Sequence, residues 1–114
     1  MEKNYVIYKG KKIFVKRGCL ELSHRDIKDI SEINNLENLV DLELLDLHGN
    51  SISEIKNLNN LINLRRLVLW DNNIREIKGL ENLINLESLE LGFYMDWKVA
   101  GNKITEKFGF RPMD

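Results

Sequence analysis

The stretch LRRLVLWDNNIREI, residues 64–77, changes its apolar spacing twice. Leu67 and Leu69 are two residues apart, which is the side-chain period of a β-strand. The isoleucines that follow are three residues apart, a spacing that suits a tight 3₁₀-like return. The stretch therefore predicts a short strand and a return segment, with Trp70 on the strand face opposite the leucines.

This stretch belongs to a repeated unit of 22 residues, which reads L-x-L-x-x-N-x-I-x-x-I-x-x-L-x-x-L-x-x-L-x-x. One unit alone cannot bury its leucines, whereas stacked units bury them in a continuous column. The positions that match at this offset are Leu45, Leu67 and Leu89; Leu47, Leu69 and Leu91; Asn50 and Asn72; Ile52 and Ile74; Ile55 and Ile77; Leu58 and Leu80; Leu61 and Leu83; Leu64 and Leu86.

These residues resemble the leucine-rich repeat family, in particular its short 22-residue class, which includes the leucine-rich regulatory subunit of type-1 protein phosphatase. The resemblance is close from Leu20 to Leu91 and loose from Gly101 to Ile104. It implies an α/β repeat fold, a right-handed solenoid of about four repeats with a parallel sheet on its concave side. By analogy it also implies a protein-binding role that regulates or targets an intracellular enzyme, although a fold does not determine a partner.

Two asparagines, Asn50 and Asn72, follow the predicted strands where the chain turns away from the sheet. A side-chain amide has both donors and an acceptor, so it can satisfy backbone groups that are unpaired at a turn. We therefore expect a structural role for these two residues. Arg25 occupies the matching position in the first unit.

The first unit is longer than the others, because Leu20 and Leu45 are 25 residues apart. An additional Leu-x-x step fits one extra turn in the return segment. The register could alternatively place Leu42 and Leu44 inward. We favour Leu45 and Leu47 as the inward pair, because the two asparagines then fall at equivalent positions.

The length of 114 residues predicts a single leucine-rich repeat domain over 1–114, with a cover at each end of the leucine column. The stretch YVIYKGKKIFV alternates around a Lys-Gly-Lys turn, which predicts an N-terminal β-hairpin cap over 4–18. Residues 19–92 form the repeats, and 93–114 form a short C-terminal cap. The residues expected on the inward face of the hairpin are Tyr5, Ile7, Ile13 and Val15.

An aromatic segment follows the last repeat, with Phe93, Tyr94 and Trp97 close together. One interpretation is that these side chains seal the last unit as part of the cap. The other is that they form a projecting loop that binds a partner, and the sequence leaves both open.

The net charge of −1 conceals a basic N-terminus, since residues 1–18 carry six basic side chains and one acidic one. Binding of nucleic acid or an anionic surface by this hairpin is an alternative function. It is a weak one, because lysines without interleaved base-stacking aromatics are a poor signal. The hairpin edge could also support a homo-oligomer, although lysines on an edge strand discourage pairing.

The chain has no apolar run near the ~20 residues of a membrane span and no apolar segment typical of a secretion signal. Its one cysteine, Cys19, cannot form an internal disulfide. These features favour a reducing, cytoplasmic setting.

We predict no catalytic site, cofactor or metal. A nucleophilic pair of Cys19 and His24 would need the two side chains to meet, and a third group to orient them. Asp46, His48 and Glu90 could share one surface but offer no ready tetrahedral set. The sequence has no glycine-rich phosphate loop.

The remaining candidate is the surface formed by the outward strand residues. Leu44, Val68 and Trp70 are apolar where a solvated sheet face should be polar, and such groups rimmed by charge often mark an interaction site. Trp70 could instead pack on Arg66, His48 or the Phe93 region. A purely structural, self-assembling repeat protein is a further alternative. The predicted partner-binding residues are Leu44, Asp46, His48, Arg66, Val68, Trp70, Ser88 and Glu90, with Glu21 on the rim.

Overall fold

The structure is a computed structural model that describes residues 4–92 and the two-residue strand Lys98–Val99. The rest of the predicted C-terminal cap, 93–114, lies outside the described residues. Two 3₁₀ turns are present, Ile30–Glu32 and Leu36–Asn38. The strands are β1 (Tyr5–Tyr8), β2 (Lys11–Phe14), β3 (Cys19–Glu21), β4 (Leu44–Asp46), β5 (Arg66–Val68), β6 (Glu76–Ile77), β7 (Ser88–Glu90) and β8 (Lys98–Val99).

Four strands form a parallel sheet in the order β3-β4-β5-β7, and β6 pairs with β8 in a separate parallel pair. In the four-stranded sheet Leu20 lies beside Leu45, which lies beside Leu67 and then Leu89. The favoured register of the first unit is therefore confirmed, and Leu44 lies on the opposite face. The small domain, with this sheet, an N-terminal hairpin and short 3₁₀ turns, is consistent with a leucine-rich-repeat-like fold.

Each strand and the return segment that follows it form one coil, and the repeated apolar residues of the coils share a single core. Leu67 and Leu69 are fully buried, as are Leu58, Leu61 and Leu64 in the return segment. Burial of a leucine side chain stabilises the folded state by about 1.5–3 kcal/mol. The 22-residue spacing thus determines which side chains are buried on folding.

Asn50 joins the first two coils through its nearly buried side chain. Its Oδ1 accepts from the backbone N–H groups of Arg25 at 2.9 Å and Ile27 at 3.0 Å. Its Nδ2 donates to the carbonyls of Leu22 at 3.0 Å and Leu47 at 2.9 Å. The predicted structural role is confirmed.

Asn72 repeats this arrangement one coil later. Its Oδ1 accepts from the N–H of Ile52 at 3.0 Å, and its Nδ2 donates to the carbonyls of Leu47 and Leu69 at 3.0 Å. The two asparagines therefore form an inner ladder between successive coils.

A second ladder of asparagine hydrogen bonds, which was not predicted from the sequence, lies in the return segments. The Nδ2 of Asn63 donates to the carbonyl of Val40 at 2.9 Å, and that of Asn85 donates to Ile62 at 2.8 Å. The recurrence of asparagine at 63 and 85 was the available signal, because a polar residue repeated at the coil spacing meets the same backbone group each time.

The hairpin forms as predicted, but the inward face of β1 was predicted wrongly. The loop contains two residues, Lys9 at φ 49° and Gly10 at φ 76°, as a type I′ turn requires. A two-residue loop pairs Val6 with Ile13, so Val6 and Tyr8 are buried. The two β1 residues expected inward, Tyr5 and Ile7, are only half-buried, whereas the predicted Ile13 and Val15 do pack against the core.

The outer edge of β1 is covered by the first coil. The backbones of Ile7 and Asn34 exchange hydrogen bonds of 3.0 and 2.9 Å, and the Nδ2 of Asn35 donates to the carbonyl of Tyr5 at 2.8 Å. This edge is therefore paired at Ile7, which leaves the edge of β2 as the one where another chain could add to the hairpin.

Asn50→Ala should lower the free energy of unfolding by about 2–4 kcal/mol, because it leaves several buried backbone groups unsatisfied. Urea denaturation measures the loss. The matched control is Asn59→Ala, at an exposed position, which should change stability by less than about 0.5 kcal/mol. Equal losses in the two variants would contradict the inner ladder.

Asp29 gives the fold a predictable dependence on pH. Hydrogen bonds from Ser31, and then from Lys56 on the next coil, lower the pKa of the Asp29 carboxyl to about 2. A depressed folded-state pKa stabilises the protein above the unfolded value of about 3.9, and the effect is lost as pH falls through about 2. Stability should therefore fall less steeply between pH 4 and 2 in Asp29→Asn than in the wild type or in the control Asp41→Asn. Parallel curves for all three would refute this role.

Candidate functional site

The sheet face opposite the leucines, here called the outward sheet face, collects the predicted partner-binding residues. The register of the parallel strands places them in rows that cross the sheet. The hydrogen bond from the N–H of Gly49 to the carbonyl of Trp70 continues that register past the strand ends. The rows are Leu44, Arg66 and Ser88; Glu21, Asp46, Val68 and Glu90; and Ser23, His48 and Trp70.

Trp70 is held in place and still meets solvent. Its ring stacks on that of His48, with centroids 4.1 Å apart and planes 16° apart. The His48 ring in turn meets His24 edge-on at 4.9 Å. Packing on His48, one of the predicted alternatives for Trp70, is therefore present, yet the tryptophan remains 40 % exposed.

Gly92 leaves room beside Trp70. A Cβ at this position would lie 3.2 Å from the Cβ of Trp70, and the backbone has φ +86°, which favours glycine. A side chain here would crowd the tryptophan. The glycine thus avoids a tight contact with the Cβ of Trp70.

A histidine–carboxylate contact and an ion pair share the outward sheet face with Trp70. The Nδ1 of His48 lies 2.6 Å from the Oδ1 of Asp46, and the Nη2 of Arg66 donates to the Oε2 of Glu90 at 2.6 Å. The hydrogen bond with Glu90, followed by its charge, raises the pKa of Arg66. These contacts restrict the orientation of polar side chains on the face that carries Trp70.

The expectation that Val68 is exposed is wrong, since it is only 6 % exposed. Its short branched side chain lies between Arg66 and Trp70, which share its face because they are two residues away. Leu44 is half-buried. Apolar exposure on the outward sheet face is therefore concentrated at Trp70.

Cys19 lies in β3 and does not have the character of a nucleophile. Partial burial raises the pKa of its thiol, and the nearby carboxylates of Asp46 and Glu21 raise it further. A protonated thiol is a poor nucleophile. In the part of the chain that the structure describes, no group of three or more His, Cys, Asp or Glu side chains could hold a metal ion.

A second exposed apolar row lies in the return segments and was missed from the sequence. Val40, Ile62 and Ile84 are all exposed, and they recur at 22-residue intervals. That recurrence was the signal that could have identified them. Ile62, which is 48 % exposed, offers a matched control for Trp70.

Comparison with protein-family models and with curated proteins finds no match. Among the described residues, no helix is long and apolar enough to cross a membrane. The predicted aromatic loop of Phe93, Tyr94 and Trp97 lies outside the described residues.

Replacing His48 should expose Trp70, because the stacked imidazole covers one face of the indole. In a Trp97→Phe background, where Trp70 is the remaining tryptophan, His48→Ala should increase acrylamide quenching of its fluorescence. His24→Ala is the control, since that ring meets His48 rather than Trp70. Unchanged quenching in His48→Ala would show that the stack does not persist in solution.

Proposed function

We propose that this protein is a non-enzymatic recognition module that binds another protein on its outward sheet face. In this proposal the chain is a right-handed leucine-rich repeat solenoid of about four repeats, and the outward sheet face is its concave side. The observation that carries the proposal is a tryptophan that is 40 % exposed while its own fold holds it in one orientation.

The energetics of interfaces support Trp70 as the anchor. Tryptophan and arginine are the residue types most enriched among side chains that dominate binding energy. Stacking on His48 restricts the indole before a partner arrives, so binding loses less side-chain entropy. Gly92 has no side chain that could crowd Trp70.

The surrounding charges support selectivity more than affinity. Arg66 and Glu90 are paired with each other and still partly exposed, so they can hydrogen-bond a partner at the rim. Rim charges mainly affect orientation and the rate of association. We therefore expect an apolar contact at Trp70 surrounded by a polar border that includes Asp46 and His48.

Resemblance to leucine-rich phosphatase regulators extends the proposal to a regulatory or targeting role for an intracellular enzyme. This extension rests on analogy, since related folds serve many functions. Partners are therefore best identified by which surface of the fold they contact, rather than by assaying an enzyme activity.

A photo-crosslinking amino acid identifies the partner. Placed at Ser88 on the outward sheet face, it should capture one protein in cells, whereas the same group at Asn59 in a return segment should not. Capture of the same proteins from both positions would contradict docking on this face.

Trp70→Ala should weaken binding of the captured partner by about 2 kcal/mol or more, which is at least about 30-fold in Kd. It should lower the free energy of unfolding by only about 1 kcal/mol, because one stacked pair is lost. Titration calorimetry and urea denaturation measure the two effects.

The control is Ile62→Ala, which removes an apolar side chain of similar exposure outside the sheet. It should leave the Kd within about twofold of the wild type, as expected for a residue outside the interface. The assignment of the interface would be refuted if both substitutions raised the Kd equally, or if the Trp70→Ala variant bound the partner with the Kd of the wild type.

A further inference from the structure

A groove of about 550 Å³ opens between the hairpin and the parallel sheet. Two residues past β2, Lys16 forms an isolated antiparallel bridge with Cys19, the first residue of β3. The groove borders the outward sheet face at Glu21 of the edge strand β3, whereas Trp70 follows β5, two strands away. The side chains that matter for its chemistry are Lys11, Lys12, Phe14, Lys16, Glu21 and Arg25.

The groove is strongly basic, since four cationic side chains face one carboxylate, Glu21. Within residues 4–92 none of these four cations forms an ion pair. Cations gathered around a cleft raise the local concentration of anions. The net charge of the whole chain is −1, so this is a local feature.

Arg25 is the groove cation that departs from the repeat. It stands where later coils carry Asn50 and Asn72, whose side chains donate to carbonyls of the preceding coil. The first coil follows the hairpin instead of another coil, and the Nε of Arg25 is buried without a hydrogen-bond partner in the described chain. An unsatisfied buried donor is costly. The same side chain is partly exposed and lines the groove, so a carboxylate there could pair with its Nη groups.

The backbone of β2 presents a further set of groups along the groove. In an antiparallel pair, successive residues direct their N–H and C=O groups alternately toward and away from the partner strand. Val15 donates to Asn4 on the β1 side, and Lys16 bonds Cys19 on the other side. By this alternation Lys12 and Phe14 direct their backbone groups away from β1, where an extended peptide could pair with them.

We propose that this groove binds an acidic peptide segment in an extended conformation, which adds to the free edge of β2 and places one carboxylate on Arg25. An extended peptide directs the N–H and C=O groups of every second residue to one side, so it could hydrogen-bond with the backbones of Lys12 and Phe14, which are also two residues apart. A nucleic acid fits less well, because Glu21 would oppose a continuous phosphate chain and Phe14 is the one aromatic side chain among the described residues that line the groove.

The test uses a fluorescent hexaglutamate peptide and measures its polarisation at low ionic strength. Arg25→Met should weaken binding by about tenfold, the effect of losing one charge-assisted fork. Lys28→Met removes the same charge from an exposed position on the same coil and should change binding less than about twofold. Lys12→Met is a second groove variant, which keeps the test decisive if Arg25→Met fails to fold.

Amide signals in nuclear magnetic resonance spectra locate the bound peptide. The N–H groups of Lys12 and Phe14 should shift and exchange more slowly with water, whereas those of Val68 and Trp70 should not change. The proposal is overturned if hexaglutamate does not saturate, if the Arg25 and Lys28 variants lose binding equally, or if an oligouridylate of the same length binds more tightly than hexaglutamate.

Discussion

The packing of two leucines per coil against one core, one leucine within each strand of the parallel sheet and one just after it, is the constraint on which the rest of the structure depends. Leu67 and Leu69 have no solvent exposure, and their equivalents in the neighbouring coils line the same core. Because side chains alternate along a strand, burying these leucines turns the residues between them to the other face. The candidate site is a consequence of that alternation.

Hydrogen bonds from asparagine side chains connect successive coils at fixed positions. The side chain of Asn50 satisfies backbone groups of two coils at once, and Asn63 links the return segments in the same way. A polar side chain repeated at the coil spacing therefore serves as a fixed connector. At the N-terminal end this regularity stops, and Arg25 is left with a donor that no preceding coil can satisfy.

The sequence predicted those parts of the fold that follow from periodicity. The inward register of Leu45 and the structural role of Asn50 both came from the repeat and are confirmed. The inward face of β1 was predicted wrongly, because parity in a hairpin depends on the length and centre of the loop, and a two-residue loop of Lys9 and Gly10 pairs Val6 with Ile13. The burial of Val68 could not be predicted in this way, because alternation gives the face of a side chain but not how far its neighbours on that face cover it.

The fold and the candidate site both require that Leu67 and Leu69 point into the core while Trp70 points toward solvent, and the accessibility of single cysteines tests this most directly. In a Cys19→Ser background, cysteines introduced one at a time at positions 67, 69 and 70 are labelled with a thiol reagent under native conditions. The account predicts rapid labelling at position 70 and strong protection at 67 and 69. Rapid labelling at 67 and 69 with protection at 70 would contradict both the fold and the binding surface built on it.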